Sequence, residues 1–166
     1  MGIDHSLRKD RLVFYARDVD QIDSELDSFL EMSGARCGLL IDRDGHLVTR
    51  RGEADTSTLD SVCALIAGSF AATREMARLL GEEQFTTMFH QGQRDSIQIS
   101  LVGERALFAT VFDDRTNLGL VRFYAQESTR RLEELLGKLE QRAPEADERL
   151  SIDFSSSASA ALDKIL

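Results

Sequence analysis

Residues 59–80 read LDSVCALIAGSFAATREMARLL, and the spacing of their apolar positions decides what kind of fold can hold them. Wound as a helix at about 100° per residue, the stretch gathers Leu59, Val62, Cys63, Ile66, Phe70, Ala77 and Leu80 on one side, a face suited to a sheet. Leu65, Gly68, Ala72, Met76 and Leu79 fall on nearly the opposite side. A helix lying on a single core needs one apolar stripe, so the second stripe asks for a second neighbour. Gly68 and Ala72 at its centre let another backbone approach, and a mid-helix glycine costs about 1 kcal/mol relative to alanine, which a close contact would offset. Between the stripes runs a mixed edge of Ala64, Ala71, Arg74, Glu75 and Arg78, the best candidate in the chain for contact with a different protein. Thr56 or Ser57 is placed to cap the start of this helix and Gly81 its end.

The elements around it follow from period and turn chemistry. Val19, Ile22, Leu26, Phe29 and Leu30 share one face of a helix over 18–33 that Gly34 stops. CGLLID and HLVTR flank Asp44-Gly45, a strong hairpin signal, and form two strands. FTTMFHQG, SIQISLV and RALFATVF form three more in a meander, with Gly103-Glu104 suited to a two-residue turn between the last pair. Asn117 caps a third helix carrying Leu118, Val121, Ala125, Leu132, Leu135, Leu136 and Leu139. GLLI and ALFATVF are continuous apolar runs and belong in the middle of a sheet, whereas SIQISL alternates. Strands two and three are left at the edges, and FTTMFHQ carries no lysine or proline to discourage edge pairing. The expected fold is a three-layer α/β arrangement, α-β-β-α-β-β-β-α, with a five-stranded antiparallel sheet between helices. One copy offers an open strand and a second helix stripe, and a two-fold axis can pair each with itself, so a homodimer is expected; the alternative is that a covering helix, or the N-terminal lead, packs on the second stripe within one molecule.

The 166 residues fit one domain over 18–141, a lead over 1–17 and a tail over 142–166. Serine and acid dominate 142–156, which predicts disorder, while the last ten residues can form a short amphipathic helix presenting Leu162, Ile165 and Leu166. A net charge of -9 weighs against nucleic acid as a partner. No run approaches the length needed to span a bilayer and the first 25 residues lack a secretory pattern, so no membrane insertion and a cytoplasmic location are expected. Cys37 and Cys63 form no C-x-x-C pair and read as core fillers.

Chemistry of the chain's own is hard to find. There is no G-x-x-x-x-G-K-[ST] or G-x-G-x-x-G phosphate loop, and His5, His46 and His90 lack the spacing that sets two on one helical face for a metal. Asp113 and Asp114 precede a helix, where carboxylates suit the N-terminus. No cofactor, metal or catalytic residue is assigned.

The order of elements, with LLIDRDGHLV, AGSFAATREMARLLGE, FHQGQRDSIQISLVG and VFDDRTNLGLVRF, resembles the bacterial roadblock (dynein light chain) family, within it the regulators of a Ras-like GTPase. The resemblance spans about 18–140. It implies a dimer formed through strand three, with Met88 and His90, and through Leu65, Ala72, Met76 and Leu79 of the second helix. It further implies GTPase-activating function in cell polarity and gliding motility. The paired second helices would meet the switch regions of one GTPase and reposition its own catalytic groups without donating an arginine finger. The matching contact positions are Ala64, Gly68, Ala71 and Glu75, with Arg74 and Arg78 beside them. Small residues are usual around 74 and 75 in that family; here they are Arg74-Glu75. The family's C-terminal extension also reaches the GTPase, which gives Leu162, Ile165 and Leu166 a docking role. The other reading is a non-catalytic scaffold of the same fold that tethers partner proteins; a small-molecule sensor rests on fold analogy alone.

Overall fold

The computed structural model describes residues 16–165, with side chains described over 16–141. Helix α1 (Ala16–Ser33) is followed by strands β1 (Cys37–Asp42) and β2 (Leu47–Gly52), helix α2 (Leu59–Leu79), strands β3 (Thr87–Gln91), β4 (Ser96–Val102) and β5 (Ala106–Phe112), and helix α3 (Leu118–Ile165). The strands form one antiparallel sheet in the order β2-β1-β5-β4-β3. The continuous apolar runs CGLLID and ALFATVF thus occupy inner places, and β2 and β3 are the edges, as their sequences predict.

Alternation along the strands divides the core in two. Leu40, Phe108, Phe112 and Val102 face α1 and α3, meeting Ile22, Leu26 and Phe29 of α1 and Val121, Ala125, Leu132, Leu136 and Leu139 of α3. Leu39, Ile41, Leu107, Ala109, Ile99 and Met88 face the other way, onto Leu59, Cys63, Ile66, Ala67 and Phe70 of α2. The polar positions of β4 are also covered: Gln98 and Ser100 are buried on the side where α3 crosses β4. The alternation in SIQISL therefore marks a change of core partner rather than an open face.

Several local expectations are corrected. The helix α2 starts later than a Thr56 or Ser57 cap would place it: Thr58 is its N-cap and its side chain makes no capping bond. Ser57 is engaged elsewhere, donating its N–H and O–H to the Asp55 carboxylate in a local turn. Leu80 is not on the sheet face but exposed, because the helix ends at Leu79 and the chain turns at Gly81, whose φ is +87°. There the Glu82 N–H reaches the Ala77 carbonyl at 2.9 Å and the Gly81 N–H the Arg78 carbonyl at 3.1 Å, a Schellman closure. The β4–β5 turn holds three residues, Gly103 to Arg105, between the paired Val102 and Ala106, one more than expected.

Asn117 caps α3 as read, its Oδ1 accepting the Leu120 N–H. The backbone of α3 stays helical through Ile165, across the 142–156 stretch where the sequence predicts disorder. The lead over 1–15 and the side chains of Leu162, Ile165 and Leu166 lie outside the described residues.

At one end of the sheet Arg36 ties the loops together. Its guanidinium lies 2.7 Å from Asp95, 3.6 Å from Glu53 and 3.8 Å from Asp113, and Arg115 contacts both Glu53 and Asp113. Asp95 of FHQGQRDSI and Asp113 and Arg115 of FDDRTNLGLVR meet in this network. Asp113 accepts the Arg115 N–H at 3.0 Å in the turn before α3, and hydrogen bonding by Arg115 holds its carboxyl below the usual range.

Candidate functional site: the outward face of the second helix

With its inner face on the sheet, α2 turns its second stripe outward. Leu65, Met76 and Leu79 are 72%, 57% and 73% exposed; Gly68 and Ala72 between them are exposed as well. A Cβ added at Gly68 would meet nothing within 4 Å. No described residue covers this stripe, so it is a contiguous apolar surface of the kind that marks contact sites.

The mixed edge is exposed along its length, at Ala64, Ala71, Arg74, Glu75 and Arg78. Glu75 and Arg78 satisfy each other, with Nε of Arg78 3.1 Å from one carboxylate oxygen and 3.2 Å from the other. That hydrogen bonding by Arg78 holds the Glu75 carboxyl below its ordinary range. Arg74 makes no hydrogen bond or ion pair among the described residues, and is the edge's available cation.

Among the described residues strand β3 pairs only with β4, and none of them fills its other row of N–H and C=O groups. His90 is exposed on it. Met88 is not: its side chain is 7% exposed, packed in the core beneath α2. Position 88 alternates onto the inner side of the sheet, so the Met88 side chain is not on the open edge where the sequence predicts it.

Two features escaped the sequence reading. The β1–β2 turn touches α2: a Cβ on Gly45, whose φ is +91°, would lie 2.8 Å from the Ala64 Cα. Asp42 builds that turn, its Oδ1 accepting the N–H groups of Asp44 at 3.0 Å and His46 at 2.8 Å, with the His46 Nδ1 3.2 Å from Oδ2. Donor atoms of Asp42, Asp44 and His46 lie within 4.8 Å of one another, and their geometry is that of a hydrogen-bonded turn. The RDGH tetrapeptide signals the turn but not its contact with a helix that begins at Leu59. The second missed feature is an apolar patch on the opposite layer, where Met32, Leu120 and Phe123 are exposed. Shallow grooves of about 370 and 430 Å³ run along the same α1–α3 seam.

Cys37 and Cys63 are free and buried, and burial pushes both thiols up. No described helix is long and apolar enough to cross a membrane.

The fold can be set beside known proteins. A search of the curated proteins gives no match. Among solved structures, the gliding protein MglB of Thermus thermophilus is 33% identical, with a TM-score of 0.72 over 76% of this chain and 96% of that one. MglB of Myxococcus xanthus is 32% identical, with a TM-score of 0.71 over 77% and 96%. An MglB with a tetrameric arrangement is 32% identical, with a TM-score of 0.73 over the same shares. The family model for the Roadblock/LC7 domain matches residues 22–112, which takes in α1 from Ile22 through the end of β5. The chain belongs to the Roadblock/LC7 family.

Proposed function

We propose that this protein is a homodimeric activator of a small Ras-like GTPase of the MglA type, acting in the cytoplasm in bacterial cell polarity or gliding motility. The observation that carries the reading is the outer stripe of α2, which no described residue covers, lying on the same chain as a β3 edge that no described residue pairs. A two-fold axis beside β3 would join the sheets through their edges and set two α2 helices side by side, burying Leu65, Ala72, Met76 and Leu79. The edge row of Ala64, Gly68 and Ala71 would then line a surface on which a GTPase can seat its switch regions closely, since these positions hold no long side chain. Likeness to the MglB structures, at about a third identity over nearly their whole length, supports the regulatory role.

Activation in this reading is positional. The dimer holds the switch segments in the arrangement that orients the GTPase's own water-positioning group, and supplies no catalytic side chain itself. Leu162, Ile165 and Leu166 are proposed as an additional anchor for the same partner.

The test is phosphate release from the MglA-type GTPase of the same organism, loaded with GTP, with and without saturating purified protein. A rise of at least tenfold in the single-turnover rate is expected. Stable binding with an unchanged rate would favour the scaffold reading, in which the same face only tethers partners.

A further inference from the structure

The outer seam between α1 and α3 is grooved along its length, and it begins near the point where the chain enters the fold. The two helices run antiparallel. Gln21 lines one groove with Lys138, Met32 lines the next with Phe123, and the grooves share Arg131. At the far end Met32, Leu120 and Phe123 are 54%, 45% and 60% exposed, and the Phe123 ring stands edge-on to Tyr124 at 5.1 Å. A methionine beside two other large apolar groups makes an adaptable contact surface. Charge does not define it. Arg131 pairs with Glu25 and Glu127, and Glu134 with Arg130. Of the charges lining the grooves, only Lys138 at the entry makes no ion pair or hydrogen bond among the described residues. An occupant is therefore held by apolar contact.

The nearest chain that could supply it is the protein's own. Residues 1–15, outside the described part, join α1 at Ala16, on the Gln21 end of the seam. They read MGIDHSLRKDRLVFY, with Ile3, Leu7, Leu12, Val13 and Phe14 as apolar groups. Ala16 stands about 24 Å from Met32 along the helix, and the extended run from Leu7 to Tyr15 spans about 30 Å. That length covers the seam and a reversal of direction before Ala16. A tethered segment also meets its site at an effective concentration that a separate partner has to match.

We propose that the N-terminal lead lies along the α1–α3 seam of its own chain, antiparallel to α1, with Leu7 against Met32 and Phe123. This ties the lead to the layer opposite α2, so that it leaves the outer stripe of α2 free for a second copy. The proposal does not depend on any GTPase.

The methionines report on it. Met32 sits at the end of the seam, Met76 on the outer stripe of α2 and Met88 in the core beneath α2. The full-length protein is labelled with carbon-13 at its methionine methyl groups and carries a nitroxide on Arg8→Cys; Cys37 and Cys63 are buried and do not take the label. A nitroxide erases the signals of nearby methyl groups only. The Met32 signal should be lost and should return when the nitroxide is reduced, while those of Met76 and Met88 persist. F123D, at an exposed position that the fold tolerates, should restore the Met32 signal by removing the apolar anchor. Mixing nitroxide-bearing protein without carbon-13 into labelled protein without nitroxide should leave Met32 unaffected. A Met32 signal that persists in the first experiment, a loss that F123D does not reverse, a loss at Met76 instead, or a loss seen between separate chains would each overturn the proposal.

Discussion

Ala71→Arg should abolish binding of the GTPase while leaving the protein folded and dimeric. Position 71 lies on the exposed edge of α2, in the row with Ala64 and Gly68, and arginine is a good helix former, so the free helix tolerates it. In the complex the same side chain would enter a contact made close by small residues, where a bulky charge has neither room nor solvent. Single changes at the centre of such contacts cost about 2 kcal/mol or more, so a fall in affinity of about 30-fold or more is expected. Titration of the GTP-analogue-loaded GTPase against wild type and variant reads this directly. Phosphate release should fall to the intrinsic rate of the GTPase. A variant that binds and activates normally would move the contact away from α2.

Gly52→Ala should destabilise the fold strongly for a change of one methyl group. Gly52 ends β2 opposite Cys37, with φ at +89°. A Cβ there would lie 2.2 Å from the Arg36 carbonyl oxygen and 3.0 Å from the Cys37 Cα, so backbone would have to move. That backbone is fixed, because the same Arg36 carbonyl accepts the Glu53 N–H at 2.9 Å and Arg36 anchors the loops at that end of the sheet. The left-handed conformation costs a non-glycine residue about 1–2 kcal/mol, and overpacking adds about 1–3 kcal/mol. Together they predict a loss of about 3 kcal/mol and a melting temperature lower by about 10 °C. Calorimetry on the purified variant checks it, and a change under 2 °C would mean that the β2 end is far more pliable than its contacts imply.

Much of this architecture is legible in the sequence because local signals agree with the fold. Asp44-Gly45, Gly81 and Asn117 mark chain reversals and caps by their own chemistry, and the continuous runs CGLLID and ALFATVF announce inner strands. The two stripes of α2 can be read from spacing alone, and the structure brings their members together as predicted, apart from Leu80, where a cap one residue earlier than expected turns the chain. What could not be read depends on contacts distant in sequence. Nothing local tells that Gly45 touches Ala64, that Gln98 and Ser100 lie buried beneath α3, or that Arg36 gathers Glu53, Asp95 and Asp113. Met88 shows the same limit from the other side. An edge strand is recognisable from its composition, but which of its side chains turn inward is settled by register against β4.

The central claim is that the outward stripe of α2 makes a single copy incomplete. Light scattering on the purified full-length protein at micromolar concentration tests it most directly. A mass of at least twice the 18.5 kDa chain is expected, falling toward one chain when Leu65 and Leu79 are both replaced by glutamate. A mass of one chain for the unaltered protein, at every concentration up to the millimolar range, would contradict it.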